Sequence, residues 1–233
     1  MKRALILIVL LVLCNTLSIA QPNRETYLED IKSELQKKWP HNRSVNFIFH
    51  GHSVPTGYTT GGVVRTFDGY PMQSSELIVE KYPTGVLIPI ITSIGGENAE
   101  QGAARFEEEV LCHRGDIIFI DYGLNDRPIG LERAKKAWES MIKAAQGKGL
   151  RVVLMTPTPD TTEDILDPST PLCQHAEQIK ALAREYDCLI VDAYSAFKEI
   201  AESGEELKGY MAQNNHPNKR GHRVVAQLIY ELF

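Results

Sequence analysis

Four short segments hold hydroxyl, imidazole, carboxamide and flexible-backbone groups of the kind that acyl transfer needs. His50-Gly51-His52-Ser53-Val54-Pro55-Thr56-Gly57-Tyr58 puts a serine in a glycine-flanked turn. Thr92-Ser93-Ile94-Gly95-Gly96-Glu97-Asn98 offers unencumbered backbone N–H groups. Asp121-Tyr122-Gly123-Leu124-Asn125-Asp126 supplies a carboxamide, and Gln213-Asn214-Asn215-His216-Pro217-Asn218 an imidazole. A serine nucleophile requires a base within hydrogen-bond reach. Its tetrahedral intermediate requires N–H donors around the developing oxyanion. In that chemistry Ser53 attacks, and His216 takes its proton and passes it to the leaving alcohol. The backbone N–H groups of Ser53 and Gly96 and the Asn125 amide bind the oxyanion. Taken singly, each segment has a plainer reading. Ser53 is then a turn residue, Gly95-Gly96 a tight turn, Asn125-Asp126 a helix cap, and His216 a surface-loop histidine. The weight lies in their order and common placement.

The elements that would position them alternate. Apolar runs at 45–50, 86–94 (interrupted by Pro89), 116–121, 151–155 and 188–191 read as strands buried on both faces, as in a parallel sheet. Helical periodicity is expected over 24–38, stopped by Pro40, and over about 73–81, 99–112, 130–147, 173–186 and 218–232. Gly85 and Gly149 fall where C-terminal caps belong. This alternation implies a doubly wound α/β sandwich on five parallel strands. Ligands in such folds bind outside the carboxyl ends of the strands, and the first three segments each follow a strand directly.

The chain has 233 residues, 43% hydrophobic and 24% charged, with a net charge of −5. That suits one large domain. The acidity excludes a nucleic-acid binder, which needs a basic face. Lys2 and Arg3 precede an apolar run over 5–13, and Ser18-Ile19-Ala20 offers small residues at a cleavage position. Residues 1–20 therefore read as an export signal, too short to span a membrane, and a lipoprotein alternative would use Cys14. Residues 21–233 form the single domain, at net charge −7. That acidity disfavours anionic substrates. Three cysteines remain, Cys112, Cys173 and Cys188, an odd number in which Cys173 with Cys188 is the nearest pair in sequence.

The segments resemble the blocks of the SGNH (GDSL-type) hydrolase superfamily of serine esterases and acylhydrolases. Gly51-His52-Ser53 is similar to its Gly-Asp-Ser block. Gly96 matches the glycine of the second block, Gly123-Leu124-Asn125-Asp126 matches Gly-x-Asn-Asp, and His216-Pro217-Asn218 with Gly221-His222 matches the tail of the fifth. The similarity covers about residues 45–232. It implies a flavodoxin-like three-layer α/β/α sandwich, an esterase that needs no cofactor or metal, Ser53 as nucleophile, Gly96 and Asn125 as oxyanion donors, and His216 as base.

Two positions depart from the pattern. Residue 52 is His where the family has Asp, which sets a second imidazole beside Ser53. Residue 213 is Gln where the family has its triad acid, three positions before the base. A Gln carbonyl could accept the Nδ1–H of His216, but it brings no charge. Replacing the acid of a serine-protease triad by Asn costs about 10⁴ in kcat. Three readings stay open. Gln213 or a backbone carbonyl orients His216; another carboxylate, Asp126 or Asp192, reaches it; or the protein is catalytically weak.

Missing motifs narrow the class. Pro55 stands where a Gly-x-Ser-x-Gly elbow needs glycine, which excludes that hydrolase type. No phosphate-binding glycine pattern follows the first strand. His50, His52, His216 and His222 lack acidic or cysteine companions at metal-ligand spacing. Tyr58, Arg65, Phe67, Tyr70, Arg127 and residues 156–160 follow strand ends and are candidates to line a pocket; of these Tyr58 and Arg127, with His52, are the candidate substrate contacts. The expected substrate is a small polar ester, an O-acetyl group on a carbohydrate. The alternatives are a lipid or thioester acylhydrolase and a non-catalytic glycan-binding module.

Overall fold

A computed structural model describes residues 24–233; the expected export signal lies outside the described residues. Five strands, β1 (Ser44–Gly51), β2 (Val86–Ile91), β3 (Ile117–Asp121), β4 (Arg151–Met155) and β5 (Leu189–Val191), form one parallel sheet. Their order is β2-β1-β3-β4-β5. This is the flavodoxin-like order, whose direction reverses beside β1 and opens a crevice between β1 and β3. The helices are α1 (Arg24–Tyr27), α2 (Glu29–Leu35), α3 (Ser53–Thr56), α4 (Tyr70–Lys81), α5 (Ala99–Ala104), α6 (Gly130–Gly147), α7 (Pro171–Glu185), α8 (Ala193–Glu202) and α9 (Lys219–Tyr230). A two-stranded antiparallel pair, β6 (Met211–Gln213) with β7 (His216–Pro217), precedes α9.

Strand alternation sends side chains into two cores. Phe47, Phe49, Phe119, Val153 and Leu189 meet Ile31, Ile78, Phe197, Val225 and Ile229 on one face. Ile48, Ile118, Ile120, Val152 and Leu154 meet Trp138, Met141, Ile142 and Ile179 on the other. The fold is the expected three-layer sandwich. The Phe49 and Phe119 rings stack 4.8 Å apart at 8°, which locks β1 to β3 just below the crevice. β2 is an edge strand: Val86 and Ile88 are 41% exposed, and Pro89, which has no N–H to give, is tolerated there.

Several expectations are corrected. The first helix breaks at Leu28 and ends at Leu35, short of Pro40. Residues 99–112 are α-helical only to Ala104; past Arg105, whose side chain pairs with Glu97, the stretch continues as a π-helix over Phe106–Val110 and a 3-10 turn over Leu111–His113. α8 was not expected, although Asp192 caps it through the Ser195 N–H and Tyr194 and Phe197 supply its apolar stripe. Gly149 has the positive φ of a helix cap, but Gly85 does not. Gly85 answers crowding instead, since a Cβ there would lie 2.7 Å from the Leu35 carbonyl oxygen. Cys173 and Cys188 pack in different cores and all three described cysteines are free. No helix among the described residues is long and apolar enough to cross a membrane.

Candidate active site

β1 delivers Ser53 through a glycine that the sheet requires. Gly51 stands opposite Asp121 in the register, and a Cβ on it would lie 2.4 Å from the Asp121 carbonyl oxygen. The chain then turns into α3. His52 is its N-cap, with Nδ1 accepting the Val54 N–H at 3.2 Å. Ser53 is the first helical residue, so its own N–H has no partner within the helix. Gly57, at φ 91°, closes the turn by donating to the Ser53 and Val54 carbonyls.

The imidazole arrives from the other end of the chain. β6 and β7 hold His216 so that Nε2 lies 2.7 Å from Ser53 Oγ. Thr60 Oγ1 donates to the Ala212 carbonyl at 2.6 Å and the Thr161 N–H to the Asn214 carbonyl at 2.8 Å. These ties brace the β6–β7 turn from both sides. Ser53 and His216 are 8% and 9% exposed, enough for a small group to reach them. Burial pushes the His216 pKa below its usual value, and any charge on the His52 ring acts in the same direction.

Gln213 Nε2 lies 2.5 Å from His216 Nδ1. In this orientation the amide donates to Nδ1, and the ring proton sits on Nε2 facing Ser53. A base needs the opposite tautomer, with Nδ1–H donating to Gln213 Oε1 and a bare Nε2. A half-turn of the carboxamide exchanges the two. The carboxylates considered as substitutes are engaged elsewhere. Asp126 is buried and accepts the Ala99 N–H and the Trp138 indole N–H, each at 2.7 Å. Asp192 accepts from Thr156, Ser195 and Lys180. Among the described residues no carboxylate is within ion-pair distance of His216.

Gly96 follows β2 at φ 84° with open space where a Cβ would be. Its neighbour Gly95 packs against the Tyr58 ring, which lies 6.4 Å from the His216 ring. Asn125, after β3, donates one Nδ2 proton to the Glu97 carbonyl at 2.9 Å and keeps the other. Glu97 is itself anchored by Arg105 at 2.7 Å and by the Tyr122 hydroxyl at 3.1 Å. Glu97 and Arg105 thus fix the loop that carries Gly96, a role the sequence reading did not assign. The signal was there, an acid and a base eight residues apart flanking a helix.

Other candidates sit further from solvent than expected. His52 is 1% exposed, with Nε2 turned 3.5 Å from Asp121 Oδ1, so its ring is not presented to substrate. Arg127 is clamped by Asp160 at 2.7 Å and by Glu163. Tyr70 is buried and donates to Asp121 at 2.9 Å. Residues 156–160 are buried. His50 contacts Thr92 and Tyr122, and burial lowers its pKa to about 3. Arg65 does border a cavity of about 400 Å³, with Thr59, Thr60, Asn218, Lys219 and His222, although neither Ser53 nor His216 lines it. Phe67 is 80% exposed. Among the described residues no three His, Cys, Asp or Glu side chains are grouped to hold a metal.

Comparison with known proteins adds an independent line. The model of the GDSL-like Lipase/Acylhydrolase family matches residues 49–224. An acetylxylan esterase of Geobacillus stearothermophilus is 23% identical over 190 residues, 76% of this chain and 85% of that one. A solved catalytic mutant of an acetylxylan esterase from the same organism superposes with a TM-score of 0.69 at 21% identity, over 80% of this chain and 93% of the other. A two-domain esterase active on acetylated mannans, crystallised with mannopentaose, gives 0.73 at 19% identity, over 91% of this chain and 54% of the other. At these identities the structural likeness speaks for the fold. Catalytic mutants of the Geobacillus esterase replace a serine, an aspartate and a histidine, the aspartate three positions before the histidine. Gln213 stands three positions before His216.

Proposed function

We propose that this chain, a serine carboxylic-ester hydrolase that belongs to the GDSL-like Lipase/Acylhydrolase family, removes acetyl groups from the hydroxyls of a glycan. The observation that carries the reading is the 2.7 Å contact between Ser53 Oγ and His216 Nε2 at the carboxyl end of β1. Ser53 Oγ attacks the acetyl carbonyl carbon as His216 Nε2 accepts its proton. The carbonyl oxygen becomes an oxyanion, met by the Ser53 and Gly96 N–H groups and the free Asn125 amide proton. Collapse expels the sugar alkoxide, which takes the proton from His216. Water then repeats the cycle on the acetyl-serine and releases acetate. Gln213 orients His216 when its carbonyl faces Nδ1. The acetylated-glycan substrate rests on the activities that name the relatives, and the apolar run at 5–13 supports export.

The test is hydrolysis of p-nitrophenyl acetate, longer acyl esters and acetylated xylan by the purified protein, beside Ser53→Ala. The expected result is a preference for acetyl esters that Ser53→Ala abolishes. Equal activity in both proteins would remove Ser53 as nucleophile. A preference for long chains would favour a lipid acylhydrolase.

A further inference from the structure

We infer that Asp121 is a positioning residue for the nucleophile turn and acts through His52. The inference rests on Ser53 being the nucleophile. The direction of Ser53 Oγ is set by α3, and the first turn of α3 is capped by His52 Nδ1. Imidazole is not among the favoured N-caps, which are Asn, Asp and Ser. It can cap only with a bare Nδ1, which obliges the ring proton to sit on Nε2. That nitrogen is buried and faces one group, Asp121 Oδ1, at 3.5 Å. The two atoms stand just outside hydrogen-bond geometry, and neither has a hydrogen-bond partner among the described residues, so each is the other's nearest complement. The second carboxylate oxygen, Oδ2, accepts the Tyr70 hydroxyl at 2.9 Å. A buried carboxylate whose other oxygen is already engaged selects the Nε2–H tautomer, because only that tautomer gives it a donor.

The sheet builds this arrangement. Gly51 and Asp121 are paired in register across β1 and β3, and a Cβ on Gly51 would lie 3.2 Å from the Asp121 Cβ. The missing side chain at 51 brings the Asp121 carboxylate close beneath the residue that follows. The departure at position 52 then has a structural counterpart. The carboxylate absent from the Gly-His-Ser turn stands one strand away, and His52 reaches between it and the cap. Tyr70, the first residue of α4, also donates its backbone N–H to His222 Nδ1 at 3.3 Å. The same carboxylate is therefore tied to the helix that follows His216.

A double-mutant cycle tests the pair. Asp121→Asn should lower kcat for p-nitrophenyl acetate by about 10- to 100-fold with KM changed less than about twofold, as expected when a reacting atom is misplaced. His52→Asp in the unchanged protein sets two buried carboxylates side by side and should be at least as damaging. In the double variant the carboxylate introduced at position 52 caps the turn directly and the amide introduced at position 121 donates to it, so kcat should exceed that of either single variant. Independent, multiplying losses would overturn the proposal, as would an Asp121→Asn protein with unchanged kcat. Nitrogen NMR of the imidazoles in the unmodified protein provides a readout that needs no variant to fold. A proton on His52 Nε2 with Nδ1 bare is expected, and a proton on Nδ1 overturns the inference. Full activity of Ser53→Ala would instead refute the parent reading while leaving the tautomer result intact.

Discussion

Restoring a carboxylate beside His216 should change both the rate and the pH profile. Gln213→Glu keeps the length of the side chain and replaces the amide that lies 2.5 Å from Nδ1 by a charged acceptor. Two unit charges about 4 Å apart interact by about 4 kcal/mol at an effective dielectric of 20 and by about 1 kcal/mol in water. At about 1.36 kcal/mol per pKa unit, His216 should rise by about 0.7 to 3 units. In the unmodified protein burial holds that pKa below 6.5, so the acid limb of kcat/KM lies below 6.5 and should move upward in the variant. The rate at pH 8 should rise by at least about tenfold, within the 10⁴ or so that separates Asp from Asn in a serine-protease triad. Initial rates on p-nitrophenyl acetate from pH 4.5 to 9 measure both effects. The variant gains at alkaline pH and loses part of that gain at pH 5. An unmoved acid limb with unchanged kcat would refute His216 as the titrating base held by residue 213.

Two further outcomes follow from the same geometry. Asn125→Ala should reduce kcat by about 10²–10³ with little change in KM if the free amide proton meets the oxyanion; a loss confined to KM would place Asn125 in ground-state binding instead. Burial lowers the pKa of His175 and His222 to about 4 and that of His50 to about 3. Below pH 6.5 the unfolded chain takes up protons that these rings refuse, so stability should fall as pH drops from 6.5 toward 4, by about 3 kcal/mol for His222 alone. Asp126, raised to about 6 by burial, works in the opposite sense and offsets part of this loss. Urea midpoints at pH 7.0, 5.5 and 4.5 measure the sum, and a flat series would show that the rings are not held neutral.

The sequence alone was enough to place five strands and most of the helices. Strands buried on both faces are runs such as 117–120, and an amphipathic helix such as α6 repeats its apolar residues along one face; both are local patterns. Local pattern also marked Ser53 and His216 as reactive types at the carboxyl edge. The sequence left α8 unassigned, although Asp192 caps it and Tyr194 and Phe197 supply its apolar stripe. It also misjudged residues whose surroundings are set by distant chain. Asp126 and Asp192 read as spare carboxylates until Trp138, Ala99, Lys180 and Thr156 were seen to occupy them. His52 read as a substrate contact until β3 brought Asp121 to its ring. Partnership of this kind is fixed by sheet register and layer packing between residues 12 to 163 positions apart, from Asp126 and Trp138 to His216 and Ser53. Composition and spacing identify which groups are available for chemistry. Only the folded chain decides which of them are free to do it.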